Sequence, residues 1–164
     1  MGRAAALADW LNRVVGQAVR WLAIAMVLVQ FAIVVGRYVF GVYDIAAQES
    51  VLYMHAALFM LAAGWTLQKD AHVRVDILYA RASPRMRRII DIAGHSLFLI
   101  PSMLTLLWWS WPSVRNSWAI LEGPISVGGI EAVFLMKSLI PAFGVLLILQ
   151  SLAILTRLIA GPRG

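Results

Sequence analysis

Long apolar runs separated by short charged segments constrain this chain more than any other feature. Ser50 to Leu67 contains no Asp, Glu, Lys or Arg, and neither does Trp21 to Gly36. A run of about 18 or more uncharged, mostly apolar residues is long enough to cross a bilayer as a helix. The pattern then reverses. Lys69-Asp70-Ala71-His72-Val73-Arg74-Val75-Asp76 is dense in charge, and Arg81, Arg85, Arg87 and Arg88 follow before the chain turns apolar again after Asp91. Of the 164 residues 62% are hydrophobic and 13% charged, against roughly half and a quarter in a soluble domain. That apolar excess is more than one small core could bury, so lipid has to solvate much of it.

Four spans follow, in one membrane domain covering 1–164, with limits near 14–40, 46–68, 84–111 and 131–157. Ahead of them Leu7, Trp10, Leu11 and Val14 recur at helical spacing, with Arg3, Asp9 and Arg13 between them. This is the pattern of a short amphipathic helix lying in the interface; a frayed terminus that orders only against a partner is the alternative. Ser83-Pro84 marks the start of span three, Ser as cap and Pro at the first helical position. Pro101 and Pro141 are expected to break spans three and four. Trp108, Trp109 and Trp111 crowd the end of span three as an interfacial belt. Trp118 reads as a further anchor, unless residues 112–132 pack against a partner protein.

Charge orients the spans. Arg3, Arg13 and Arg20, then Lys69, Arg74, Arg81, Arg85, Arg87 and Arg88, then Arg157 and Arg163 fall on one side, leaving Arg37, Arg115 and Lys137 on the other. Basic residues gather on the cytoplasmic side, so both termini are expected there. The expected fold is thus all-α and integral to the membrane: four long tilted helices, a short interfacial helix and cytoplasmic termini. The net charge of +6 sits at the ends of apolar runs. It points to anionic lipid and not to nucleic acid.

No catalytic chemistry is legible. The chain has no cysteine, and neither a nucleophile triad, a phosphate-cradling glycine loop nor a metal-ligand cluster is present. No enzyme activity and no cofactor are expected. No Asp or Glu lies in the central part of any span, which argues against a transporter that couples to ions unaided. His55 and His95, on neighbouring spans, admit one alternative: a membrane-anchor cytochrome subunit of a respiratory enzyme that holds haem between them. A depth mismatch of roughly 10 Å speaks against that pairing.

Several stretches together carry a resemblance. Arg37-Tyr38-Val39-Phe40-Gly41 closes span one, Glu49 opens span two, and His72-Val73-Arg74-Val75-Asp76 begins 23 residues after that Glu. Ser83-Pro84-Arg85-Met86-Arg87-Arg88 then starts span three. This order resembles the small membrane subunit of tripartite ATP-independent periplasmic (TRAP) transporters, the DctQ-like family. The match is sharpest over 37–92. Family members often carry a Trp and later a Gly in span two, where Ala57 and Ala62 stand here. The resemblance implies a sodium-coupled importer of organic acids, often carboxylates, in a bacterial inner membrane. It implies a transient periplasmic substrate-binding protein and a large elevator subunit stably paired with this chain. The small subunit would brace the large one without carrying substrate.

On that footing Arg37, Glu49, His72, Arg74 and Asp76 are candidates for the subunit interface. Glu49 could pair with Arg37, meet a basic group of the large subunit, or remain a solvated carboxylate at a helix start. His72, Arg74 and Asp76 form either an interface clasp or an ordinary basic surface loop. Trp10, Arg85, Arg87, Arg88, Trp108, Trp109 and Trp111 are candidate membrane-surface anchors.

Overall fold

The structure, a computed structural model, describes residues 3–71, Tyr79 and residues 82–160. The described residues are helical apart from short connections, with four helices long and apolar enough to cross a membrane. The protein is therefore an all-α, multi-pass membrane protein. Helix α1 spans Arg3–Val19, α2 Trp21–Val39, α3 Ile45–Gln68, α4 Pro84–Ala93, α5 Ile100–Ala119 and α6 Val133–Ala160. A π-helical turn, Gly94–Leu99, joins α4 to α5.

The connections follow local chemistry. Gly41 takes φ 67° and ends α2, a conformation that costs glycine nothing. Asp44 then caps α3, its carboxylate accepting from the amides of Ala46 at 2.9 Å and Ala47 at 3.4 Å. Ser83 accepts from the Met86 amide at 3.3 Å with Pro84 in the first turn, so the start of α4 is the one the sequence signals.

One boundary differs from expectation. The N-terminal helix does not end near residue 14: it runs to Val19, and Arg20 stays in the right-handed helical region, so α1 and α2 form one rod of 37 residues. Leu7, Trp10 and Val14 do face outward. The opposite face, Ala5, Ala8, Asn12 and Gly16, is buried against α3 and α6. Small residues at that spacing let backbones approach closely. A Cβ on Gly16 would come within 2.5 Å of Trp65 Cβ, and one on Gly64 would collide with Asn12 Oδ1.

The prolines also behave otherwise than expected. The distortion in span three precedes Pro101: the Ile100 amide bonds the His95 carbonyl, five residues back, closing the π-turn. A π-turn absorbs a residue whose ordinary bonding pattern is interrupted. Helix α6 passes through Pro141 without ending, and α5 passes through Pro112.

The helices pack as a sheaf. Glu49 near the start of α3 meets Ile130 just ahead of α6, while farther along both helices Gly64 faces Leu146, so α3 and α6 run the same way. Helix α5 runs against α6: Leu107 lies on Gly144, and Trp118 Nε1 donates to Ser138 Oγ at 2.8 Å. Trp118 also meets Phe134 edge-on, with ring centroids 4.7 Å apart. It is thus a tie between two spans as well as a partly exposed surface residue. Helix α2 has no buried residue.

Candidate functional site

Two groups of polar side chains stand out. The first joins α1, α3 and α6 at the end where α3 and α6 finish. Asn12 and Gln150 are each 0% exposed. Asn12 Nδ2 donates to Gln150 Oε1 at 3.1 Å and to the Ala8 carbonyl at 3.1 Å. Gln150 Nε2 donates in turn to Asp9 Oδ1 at 2.9 Å. The other Asp9 oxygen pairs with the Arg157 guanidinium, and Gln68 Nε2 donates to the Asp9 main-chain carbonyl at 3.2 Å. Close by, His95 Nδ1 lies 2.8 Å from Ser151 Oγ. Buried amides and a partly buried carboxylate among apolar helices are stable only with hydrogen bonds made. Apart from the Asn12–Ala8 bond within α1, each bond crosses from one helix to another and so fixes their register.

The second group lies at the opposite end. Glu49 Oε2 accepts from the Ile130 amide at 2.7 Å and lies against Gly129, holding the 120–132 connection onto α3. Gly129 leaves the room: a Cβ there would sit 2.5 Å from the carboxylate. Across the same connection Lys137 Nζ pairs with Glu122 Oε2 at 2.5 Å. The Lys137 ammonium holds the Glu122 carboxyl below its ordinary pKa, with a smaller contribution from Ser117.

The sequence-selected residues are placed as follows. Arg37 does not pair with Glu49; its guanidinium lies over the Tyr43 ring, 5.3 Å from the centroid. Trp10, Trp108, Trp109 and Trp111 are all exposed, Trp108 by 80%, as surface anchors require. Arg85 is exposed. Arg87 Nε donates to the Ala82 carbonyl at 3.0 Å, and its guanidinium stacks on Tyr79. Arg88 donates to the Ile159 carbonyl at 3.2 Å, a cation at the carbonyl end of α6. So Arg87 and Arg88 also tie the chain to itself. His72, Arg74 and Asp76 lie outside the described residues. His55 and His95 are not brought together: His55 lines an open groove between α2 and α3, while His95 packs on Ser151 of α6.

Residues 26–161 match the model of a protein family described as the DctQ component of tripartite ATP-independent periplasmic transporters. The chain belongs to this family. That match takes in the later part of the first span, the other three spans, and both polar groups apart from the Asp9 and Asn12 end of the first. Among its relatives is the C4-dicarboxylate TRAP transporter small permease protein DctQ of Vibrio cholerae serotype O1. It is 30% identical over 83 residues, a stretch that covers 51% of this chain and 36% of that protein.

Sequence reading did not find the network centred on Asn12. A signal existed: Asn12 and Gln150 are isolated amides on apolar helices, and Asp9 and Arg157 are opposite charges at the same end of the bundle. Nothing in local periodicity, however, tells which helix faces which.

Proposed function

We propose that this chain is the small scaffold subunit of a TRAP secondary transporter in a bacterial inner membrane. It braces a large elevator subunit that carries the substrate and sodium sites and does not itself carry substrate. The system imports an organic acid of the carboxylate class, captured by a periplasmic binding protein. One observation carries the scaffold role: the buried amides Asn12 and Gln150 and the partly buried Asp9, Arg157 and Gln68 are engaged with one another across three helices. Groups so engaged tie helices together and occupy the Asp9 carboxylate, which leaves that network without a free carboxylate for a coupling ion, as transport unaided would require. The length of the helices agrees with a lateral brace. Pro84–Ala119 has 36 residues, about 54 Å at 1.5 Å per residue, against a hydrocarbon core of ~30 Å. Such a helix tilts or projects from the membrane.

The test is isolation of the tagged chain from native membranes in mild detergent. A stoichiometric large multispan partner should come with it. Deleting the chain should abolish sodium-dependent uptake of a carboxylate while the binding protein keeps its affinity for that substrate. Full uptake without the chain, or purification with a redox enzyme and a haem absorption band, would overturn the reading.

A further inference from the structure

We infer that the open groove between α2 and α3 seats a transmembrane helix of the large subunit, one that presents amide or hydroxyl side chains at mid-bilayer depth. The inference rests on the assembly proposed above and names the face that makes the contact. The groove measures about 440 Å³ and is lined by Met26, Gln30, Gln48, Glu49, Leu52 and His55. Gln30 sits at the midpoint of α2, and His55 sits close to the midpoint of α3. Both side chains are exposed on the outside of the bundle.

The side chains of Gln30, Gln48 and His55 have no hydrogen-bond partner among the described residues, and the His55 ring stacks on Phe59, with ring centroids 6.5 Å apart. Exposed hydroxyls on the other spans differ in this respect. Thr105 donates to the Pro101 carbonyl at 2.9 Å and Thr156 to the Ala153 carbonyl at 2.8 Å, each within its own helix. The Gln30 amide and the His55 imidazole, unpartnered and facing hydrocarbon, are strongly unfavourable, whereas Gln48 lies at the start of α3 near the interface. Acyl chains offer neither donor nor acceptor at that depth, and the polar part of a phospholipid lies at the interface, some 15 Å away. A helix with polar side chains at the same level satisfies them, since interhelical hydrogen bonds act as glue in membranes.

The flanks suit such an occupant. Phe31, Leu52 and Phe59 are exposed beside the groove and offer the apolar surface that the rest of a spanning helix would cover. The hollow of about 580 Å³ at Leu104, Leu107, Trp108, Trp111 and Pro112 makes the contrast. Its lining is almost entirely apolar, and lipid suffices to cover it.

Because the chain has no cysteine, single cysteines report position cleanly. Leu52→Cys in the groove and Leu104→Cys at the apolar hollow would each carry a photoactivatable maleimide, in membranes that hold the complete transporter. The expected result is an adduct with the large subunit from Leu52→Cys and none from Leu104→Cys. In addition, Gln30→Leu combined with His55→Leu should lower co-purification of the large subunit by about tenfold, the scale of two interhelical hydrogen bonds in lipid. The melting temperature of the isolated chain should not fall, which separates lost docking from lost folding. If the subunits co-purify but the groove yields only lipid adducts or a second copy of this chain, the groove assignment is overturned and the assembly stands. If nothing co-purifies and neither cysteine meets another subunit, the assembly itself fails and the groove assignment with it.

Discussion

Asn12 shows how one amide can position a helix within a membrane. Its bond to Gln150 and the absence of a side chain on Gly64 are two halves of one contact, because the asparagine occupies the space a Cβ would need. Gly64→Ala is therefore expected to cost about 1–3 kcal/mol through overpacking, read as a lower melting temperature in detergent. The Asp9–Arg157 pair is partly exposed on the arginine side, so its loss is milder than that of a fully buried pair. Arg157→Gln should destabilise by about 1–2 kcal/mol, and adding Asp9→Asn should recover part of the loss. A double variant no better than Arg157→Gln alone would show that the pair is not the source of the effect.

At the scale of elements, the end of α5 carries a backbone conformation that leucine adopts poorly. Leu121 has φ 45°, and the Glu122 amide reaches back to the Ser117 carbonyl at 2.9 Å, the closing pattern that usually has glycine at this position. Leu121 is exposed, so Leu121→Gly loses little packing and should raise stability by about 1 kcal/mol. The Glu122–Lys137 pair adds a pH dependence. Its carboxyl is lowered from 4.5 in the folded state, so the contribution is present above about 4.5. It is lost as pH falls through the lower folded value. Trp118, bonded to Ser138 beside Lys137, should report that loss by fluorescence, and Lys137→Met should remove the acid transition. Elements of this kind divide into legible and hidden. The capping signal at Ser83-Pro84 and the aromatic run at Trp108 act within a few residues, and both could be read from sequence. The π-turn before Pro101 could not, because the same residues fit an ordinary proline kink equally well. The extension of α1 to Val19 was hidden for another reason: its buried face is built from Ala, Gly and Asn, which carry no hydrophobic signal, while its visible apolar stripe points outward. Glu49 was legible as a special residue, but its partner was not, since a main-chain amide 81 positions away leaves no mark on sequence.

For the whole molecule, the basic residues predict a single orientation. A cysteine at Ser83 should be labelled by an impermeant reagent only after the inner face is opened. One at Ile125, on the 120–132 connection and fully exposed, should be labelled from the outside. The reverse pattern would overturn the assignment of both termini to the cytoplasm. Order of synthesis adds a consequence of the Asn12 network. Asp9 leaves the ribosome long before Arg157, which follows 148 positions later, and Gln150 is almost as late. Throughout translation the first helix holds a carboxylate and an amide whose partners do not yet exist. The bundle can lock only when α6 enters the bilayer, so a chain truncated before Gln150 should remain an unsealed set of helices, open to quality-control proteases.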